Sequence, residues 1–330
     1  MIDLTVAICT YNGETRLPHV LDRLLSQTQT DRFSWEVIII DNNSCDRTAQ
    51  IVQQYQQIWP EAYPIRYYFE AQQGLAFARR LAIKRARGGL VGFLDDDNLP
   101  SANWAATAYS FGQLHPKAGA YGSQIQAEYE VKPPENFEQI ACFLGAIDRG
   151  QEPFRYDLLK RWLFPAGAGL AIRKQAWLES VAENPILTGV AGTSLSAKGE
   201  DIETLSYLRK KGWEIWHNPE MKITHYIPKE RLEKTYLIKL FRGVGLSRYQ
   251  TRMLQFSLWT APLMLLVYLV NDLRKLIGHY YRYRGVLKTD LVALCQHELL
   301  IYSLISPFYH WQQKLSSLNR IVWLNQIKNQ

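Results

Sequence analysis

Three consecutive carboxylates, Asp95, Asp96 and Asp97, follow an apolar run in the stretch "LVGFLDDDNLP" (90–100). Adjacent like charges cannot all ionise cheaply unless a cation stands close by. Oxygen-only ligands select hard divalent cations, Mg2+ or Mn2+. Two carboxylates do not fill such an ion's shell, and the remaining positions fall to water and to phosphate oxygens of a ligand. The cluster therefore reads as part of a metal–diphosphate site. The plain alternative is a solvated acidic turn ahead of a helix that starts near Ser101. A second acidic pair, Glu200-Asp201, follows Gly199 at the start of a predicted helix, where carboxylates also meet the favourable end of the helix dipole. His225 falls in a short predicted strand, where a lone histidine is more often a packed core residue than a ligand.

The elements that carry these residues alternate. "LTVAIC" (4–9), "WEVIIID" (35–41), "IRYYFE" (65–70) and "LVGFL" (90–94) have the length and β-branched content of buried strands. Between them, 17–27 places Leu17, Val20, Leu21, Leu24 and Leu25 on one helical face. Ser44 or Asp46 can cap a helix that runs to about Tyr55, and Gly88-Gly89 end a helix over 74–87. Such alternation predicts a mostly parallel sheet covered by helices on both faces. Ligands of these sheets sit beyond the carboxyl ends of the strands. Thr10-Tyr11-Asn12, Asp41 and Asp95–Asp97 all fall there. No Gly-x-Gly-x-x-Gly follows the first strand, which argues against a dinucleotide site. The second half reads as a Gly-rich loop entering a strand and a helix (165–177), a flexible loop (192–201) and a helix ended by Gly212. Two short strands then flank a turn at Asn218-Pro219.

The chain's 330 residues are 47% apolar, enough for one large domain or a domain plus an appendage. Residues 236–330 hold 12 Lys or Arg against 3 Asp or Glu, leaving 26 against 28 in residues 1–235. The basic character belongs to the tail, which predicts two regions, 1–235 and 236–330, with different partners. The tail's charges alternate with long apolar runs, which suits an anionic lipid surface better than nucleic acid. Docking of the tail on the core or on a second copy in a homodimer is the other use of such a surface. No segment meets the requirements of a spanning helix: 258–270 is too short, and 291–309 carries Gln296, His297 and Glu298 in its middle. Four cysteines without paired spacing and a start without a signal peptide point to a reducing cytoplasm.

Taken together, "AICTYNG" (7–13), "VIIIDNNSCDRT" (37–48), "QQGLAFARRLAI" (72–83), "VGFLDDDNLP" (91–100) and "GED" (199–201) resemble a family-2 glycosyltransferase with the GT-A fold, in particular bacterial polysaccharide-assembly transferases. The resemblance covers roughly 3–230. It implies that Thr10, Tyr11, Asn12 and Asp41 line a nucleotide pocket, and that Arg79, Asp95 and Asp96 bind the nucleotide or its diphosphate. Asp95-x-Asp97 would be the family's Asp-x-Asp pair, with Asp97 as the direct metal ligand, joined by Asp95 and His225. Gly167, Gly169 and Glu200 would lie near the acceptor, and Asp201 would be the catalytic base.

The implied reaction moves a sugar from a nucleoside-diphosphate donor, expected to be UDP-linked, to a hydroxyl of a glycan or lipid-linked acceptor. Base-assisted attack opposite the leaving diphosphate inverts the anomeric carbon and needs no covalent intermediate. The Gln-x-x-Arg-Trp motif of processive members is absent after Asp201, so a single addition is expected at the inner face of the cell membrane. A non-catalytic sugar-nucleotide or glycan-binding protein of the same fold is the competing reading.

Overall fold

The computed structural model describes residues 2–156, 163–189, 199–257 and 259–328, with side chains to residue 313. Two compact units are present, one within residues 1–232 and one from Glu233 onward.

The first unit is built on one mixed sheet. Its parallel half consists of β1 (Leu4–Thr10), β2 (Trp35–Asp41), β3 (Ile65–Phe69) and β4 (Leu90–Asp95), in the order β3-β2-β1-β4. The sequence predicts each of these within a residue, because a buried parallel strand is a short continuous apolar run. Helices α1 (Leu17–Leu25), α2 (Thr48–Ile58) and α3 (Leu75–Arg85) make the crossovers.

Successive residues of a strand face opposite sides, and the strands use both. Leu4, Val6, Ile8, Val37 and Ile39 pack with α1, α2 and α4 (Trp104–Leu114). Ala7, Cys9, Ile38, Ile40 and Phe93 pack with α3, α5 (Lys174–Ser180) and α6 (Glu200–Lys210). Each buried aliphatic side chain contributes about 1.5–3 kcal/mol. Gly92 shows how tight the first face is: a Cβ there would stand 2.6 Å from the Trp104 ring.

Beyond β4 the sheet turns mixed, which the sequence reading does not anticipate. The order continues β4-β8-β6-β9-β5, with β5 (Asn98–Pro100), β6 (Ala118–Tyr129), β8 (Leu170–Arg173) and β9 (Glu214–Ile227), while β7 (Phe154–Arg155) pairs with β9. β8 is antiparallel to β4 and to β6, and β5 is antiparallel to β9. The predicted turn at Asn218-Pro219 is instead a bulge inside one long β9. Ser123 of β6 pairs with Asn218 and Gln124 with Lys222, so residues 219–221 loop out of the ladder. Pro219 has no N–H to lose from that ladder, and the Asn218 side chain accepts the Glu220 N–H at 3.2 Å.

The first unit ends with α7 (Lys229–Leu232), and the second unit is helical: α8 (Lys234–Met253), α9 (Ala261–Tyr283) and α10 (Leu291–Lys328). Within it, Arg242 of α8 grips Glu298 of α10 at 2.7 and 3.2 Å. Arg252 holds the buried Asp272 of α9, with Nη2 at 3.0 Å from Oδ1. By length and composition Leu291–Gln313 is long and apolar enough to cross a membrane, despite its three central polar residues. That corrects the sequence expectation. Residues such as Val292, Cys295 and Leu299 are buried, as in a helix packed inside its unit. α9 differs: Leu263, Leu266, Val267, Val270, Leu273 and Ile277 are all exposed.

Candidate functional site

Strand ends bring the candidates together. Register pairs Thr10 with Asp41 across β1–β2 and Cys9 with Asp95 across β1–β4. The loops after β1 and β2 are then cross-braced. The Asn12 N–H donates to Ser44 Oγ at 2.9 Å, the Cys45 N–H donates back to Asn12 Oδ1 at 2.9 Å, and the Gly13 N–H donates to Thr48 Oγ1 at 2.9 Å. Asn12 takes φ 50°, a left-handed conformation that asparagine tolerates better than most residues. Asp41 is 2% exposed, accepting the Tyr67 hydroxyl at 2.7 Å and the Ser44 N–H at 2.9 Å. Asp46 accepts the Thr48 N–H at 3.0 Å, but neither it nor Ser44 caps α2 as the sequence suggests: the N-cap is Arg47, and no side-chain cap hydrogen bond closes that end.

The three aspartates separate into three environments. Asp95 lies 3.7 Å from Arg79, and its carboxyl is pushed up to about 6, first by burial and then by the neighbouring Asp97 and Asp96, against the pull of Arg79. Asp96 is spoken for within the protein. Arg16 grips both its oxygens, at 2.9 and 3.0 Å, and the Thr10 hydroxyl donates to Oδ2 at 2.6 Å. Asp97 is delivered to β9 by the β5–β9 pairing, which sets Asn98 opposite His225. Asp97 Oδ2 lies 3.5 Å from His225 Nε2 and accepts from Arg231 Nη2 at 2.8 Å. Burial would raise its carboxyl, but the partners facing it, with the Arg231 guanidinium donating directly, outweigh burial and hold Asp97 well below the usual carboxylate range.

Glu200 and Asp201 open α6 and point apart, as adjacent residues on a helical turn must. Glu200 meets Arg79 at 3.5 Å, and burial followed by the Asp201 charge pushes it up to about 7, with Arg79 opposing. Asp201 is half-buried and accepts the Gly167 N–H at 3.1 Å and the Ile202 N–H at 2.8 Å. Arg79 is 4% exposed and donates to the Gly167 carbonyl at 3.2 Å, so it links Asp95, Glu200 and the Gly-rich loop. A Cβ on Gly167 would stand 2.6 Å from Arg79 Nη2, which is why that position has no side chain. Gly169 holds φ +65° and offers its carbonyl to the Ser123 hydroxyl at 2.6 Å. Most of the loop 192–201 lies outside the described residues.

Sequence reading overlooks Arg16 and Arg231. Arg16 is three residues from the Asn12-Gly13 turn, and Arg231 is six residues past His225 across a proline. Nothing in local pattern ties either to an aspartate 80 residues away for Arg16 and 134 for Arg231. Tyr67 is hidden likewise, since an inward strand tyrosine reads as packing.

The donor set fits a divalent cation. Two cis ligands at about 2.1 Å from a metal stand about 3.0 Å apart, close to the 3.5 Å between Asp97 Oδ2 and His225 Nε2. Among the described residues no three His, Cys, Asp or Glu side chains form a full cage. An ion here would draw its remaining ligands from water or from a bound phosphate group.

The relatives agree with this architecture. The Bacillus subtilis protein TuaG, named for teichuronic acid biosynthesis, is 35% identical over 95 residues, 29% of this chain and 36% of its own length. The glucosyl-dolichyl phosphate glucuronosyltransferase of Haloferax volcanii is 21% identical over 71% of this chain and 72% of its own. The chain thus spans about a third of the first relative and most of the second. Among solved structures, the mannosyltransferase PcManGT of Pyrobaculum calidifontis, in complex with GDP-Man and Mn2+, superposes with a TM-score of 0.60 at 17% identity, covering 93% of this chain and 87% of that one. S. aureus TarS 1–349 in complex with UDP-GlcNAc does so with a TM-score of 0.53 at 15% identity, covering 94% and 92%. At such identities the likeness speaks for the GT-A-like fold. Residues 5–181 match the description of glycosyl transferase family 2, more than half of the chain, and the chain belongs to that family.

Proposed function

We propose that the protein transfers a sugar from a nucleoside-diphosphate donor, with uridine as the base, to a hydroxyl of a glycan or lipid-linked acceptor, inverting the anomeric carbon. The observation that carries this reading is convergence. Asp41 and the Thr10–Asn12 loop, the Asp95–Arg79 pair, Asp97 with His225, and Asp201 come from distant parts of the chain and lie around the carboxyl ends of β1, β2 and β4.

In this reading Thr10, Tyr11, Asn12 and Asp41 receive the nucleoside. Asp97 and His225, with Asp95 beside them, hold Mn2+ or Mg2+, which when bound supplies Lewis-acid stabilisation of the departing diphosphate. Arg79 keeps Asp95 and Glu200 in place from behind. Asp201 takes the acceptor proton, because Glu200 is turned into Arg79 while Asp201 hydrogen-bonds the Gly167 loop that would border the acceptor. Each Asp201 oxygen accepts one backbone N–H and keeps a further lone pair for that proton. Mn2+ and nucleotide sugars in the solved neighbours, and teichuronic acid in the name of one relative, support the donor class and polysaccharide assembly.

The second unit serves, in the same proposal, as a peripheral anchor at the cytoplasmic face of the membrane. The exposed apolar residues of α9 run beside Arg274, Lys275, Arg282 and Arg284, and each basic residue near anionic lipid is worth about 1 kcal/mol.

Thermal-shift titration with UDP- and GDP-sugars tests the donor reading, because a bound ligand raises apparent stability by mass action. A UDP-sugar should raise the melting temperature with Mn2+ present, and chelator should reverse it. Stabilisation without release of nucleoside diphosphate to any acceptor would favour the non-catalytic reading. No stabilisation by any nucleotide sugar would refute the proposal.

A further inference from the structure

The pair proposed above as metal ligands already holds a cation in this structure, and it is a side chain. Arg231 lies on the short α7, four residues beyond the end of β9. Its Nη2 donates to Asp97 Oδ2 at 2.8 Å, and its Nη1 stands 3.1 Å from His225 Nε2. One planar guanidinium thus spans both atoms, which are themselves 3.5 Å apart.

We propose that Arg231 is a placeholder cation that competes with the divalent metal for Asp97 and His225. The proposal rests on the metal reading given above. Three observations carry it. First, a guanidinium has only donors, so the Nε2 facing it accepts and the imidazole proton sits on Nδ1. That is the tautomer a metal needs at Nε2. Arg231 therefore holds the histidine in its ligating form without a metal. Second, His225 is 7% exposed and its Nδ1 has no hydrogen-bond partner. Gly145 backs that side, where a Cβ would come within 3.0 Å of Nδ1. A buried ring without a partner behind it is oriented from the front, by Arg231 and Asp97. Third, the Arg231 side chain is 31% exposed, against 13% for Asp97 and 9% for His225. The cation has a path to solvent while the two ligands stay in place.

The consequence is an exchange. A divalent ion can reach Asp97 Oδ2 and His225 Nε2 only when the guanidinium leaves both. Metal binding then includes the loss of both charge-assisted contacts of the guanidinium, of which the one to Asp97 alone is worth roughly a factor of ten or more in affinity. Until an ion arrives Arg231 pairs with Asp97, so Asp97 does not wait as a lone buried charge.

The test is binding of Mn2+ alone to the full chain, read from loss of the electron paramagnetic resonance signal of free aqueous Mn2+. Arg231→Met keeps the alkyl stem and removes the charge. It should bind Mn2+ about tenfold more tightly than the wild type, with Arg231→Lys in between, and Asp97→Asn should abolish binding in both backgrounds. Damage to the fold weakens a site, so only competition predicts a gain. Unchanged or weaker binding in Arg231→Met, with Asp97 still required, would overturn the placeholder role and spare the metal reading. Absence of Asp97-dependent binding in every protein would overturn the placeholder role as well. If UDP also failed to restore it, the metal reading would go too.

Discussion

Arg79 offers the sharpest test of how the site is held together. Its guanidinium stands 3.7 Å from Asp95 and 3.5 Å from Glu200, donates to the Gly167 carbonyl, and lies over the Phe93 ring at 5.5 Å. At an effective dielectric of about 20, each of the two ion pairs amounts to about 4 kcal/mol gross. Desolvation of the arginine offsets much of that, so the pairs add little net stability as built. Removing only the cation is a different matter, because Glu200, whose side chain is 11% exposed, and Asp95, a third exposed, are then left uncompensated. Arg79→Met should therefore cost about 3–5 kcal/mol at pH 8. The sign with pH follows from Glu200. Its folded carboxyl sits at about 7, above its ordinary 4.5, because of burial and then Asp201, while Arg79 opposes and Asp95 adds repulsion. Glu200 is charged, and needs Arg79, mainly above pH 7; below that it takes up a proton and the need declines. The deficit of the variant should shrink by about 1–2 kcal/mol at pH 5.5. Urea unfolding of both proteins at the two pH values provides the measurement. Arg80→Met is the control, since among the described residues Arg80 donates only to the Ala182 and Glu183 carbonyls, at a half-exposed position, and should cost no more than about 1 kcal/mol. A loss below about 1 kcal/mol for Arg79→Met, or one that grows on acidification, would refute the reasoning.

Asp201→Asn should lower turnover by about 10²–10⁴ while leaving nucleotide affinity unchanged; equal losses of both would make Asp201 a donor-binding residue. Gly167→Ala puts a methyl group where Arg79 Nη2 now stands 2.6 Å away, so the variant should lose about 1–3 kcal/mol in thermal unfolding and weaken donor binding with it. A wild-type melting temperature would show that Arg79 is not confined as described. Leu266→Asp with Val270→Asp alters two residues that are 61% and 68% exposed. Co-sedimentation with anionic vesicles should drop at least about tenfold with no change in melting temperature. Undiminished vesicle binding would move the anchor away from α9.

The parallel half of the sheet and its crossovers are legible in the sequence because each strand is buried on both faces and so appears as an uninterrupted apolar run. The mixed half is not. β6 spans 12 residues, yet "AGAYGSQIQAEY" carries small and polar residues where helices and loops pack closely against it, and no run stands out. The short β5 is a strand only because β9 is there to pair with it. The acidic residues of the site are visible because a triple aspartate is locally expensive and must be answered. What answers it is hidden, since Arg16 and Arg231 look like any surface arginine until the chain folds. The interruption in β9 shows a further limit: Asn-Pro is a sound turn signal, but it cannot distinguish a reversal of the chain from a bulge that lets the same strand continue.

That bulge has a consequence for how the chain tolerates change in length. Side chains along β9 alternate, and the residues after the looped-out 219–221 segment reach the ladder with a fixed parity that sets Asn98 opposite His225. Deleting or inserting a single residue between Asn218 and Lys222 would invert that parity and turn His225 toward the opposite side of the sheet. Being outside the ladder does not make the segment free: Pro219 and Met221 are buried, Met221 within the core under the sheet, and of the three only Glu220 faces solvent. A feature that looks like slack is therefore a spacer measured in whole residues, and changes in pairs should survive selection where single ones are lost.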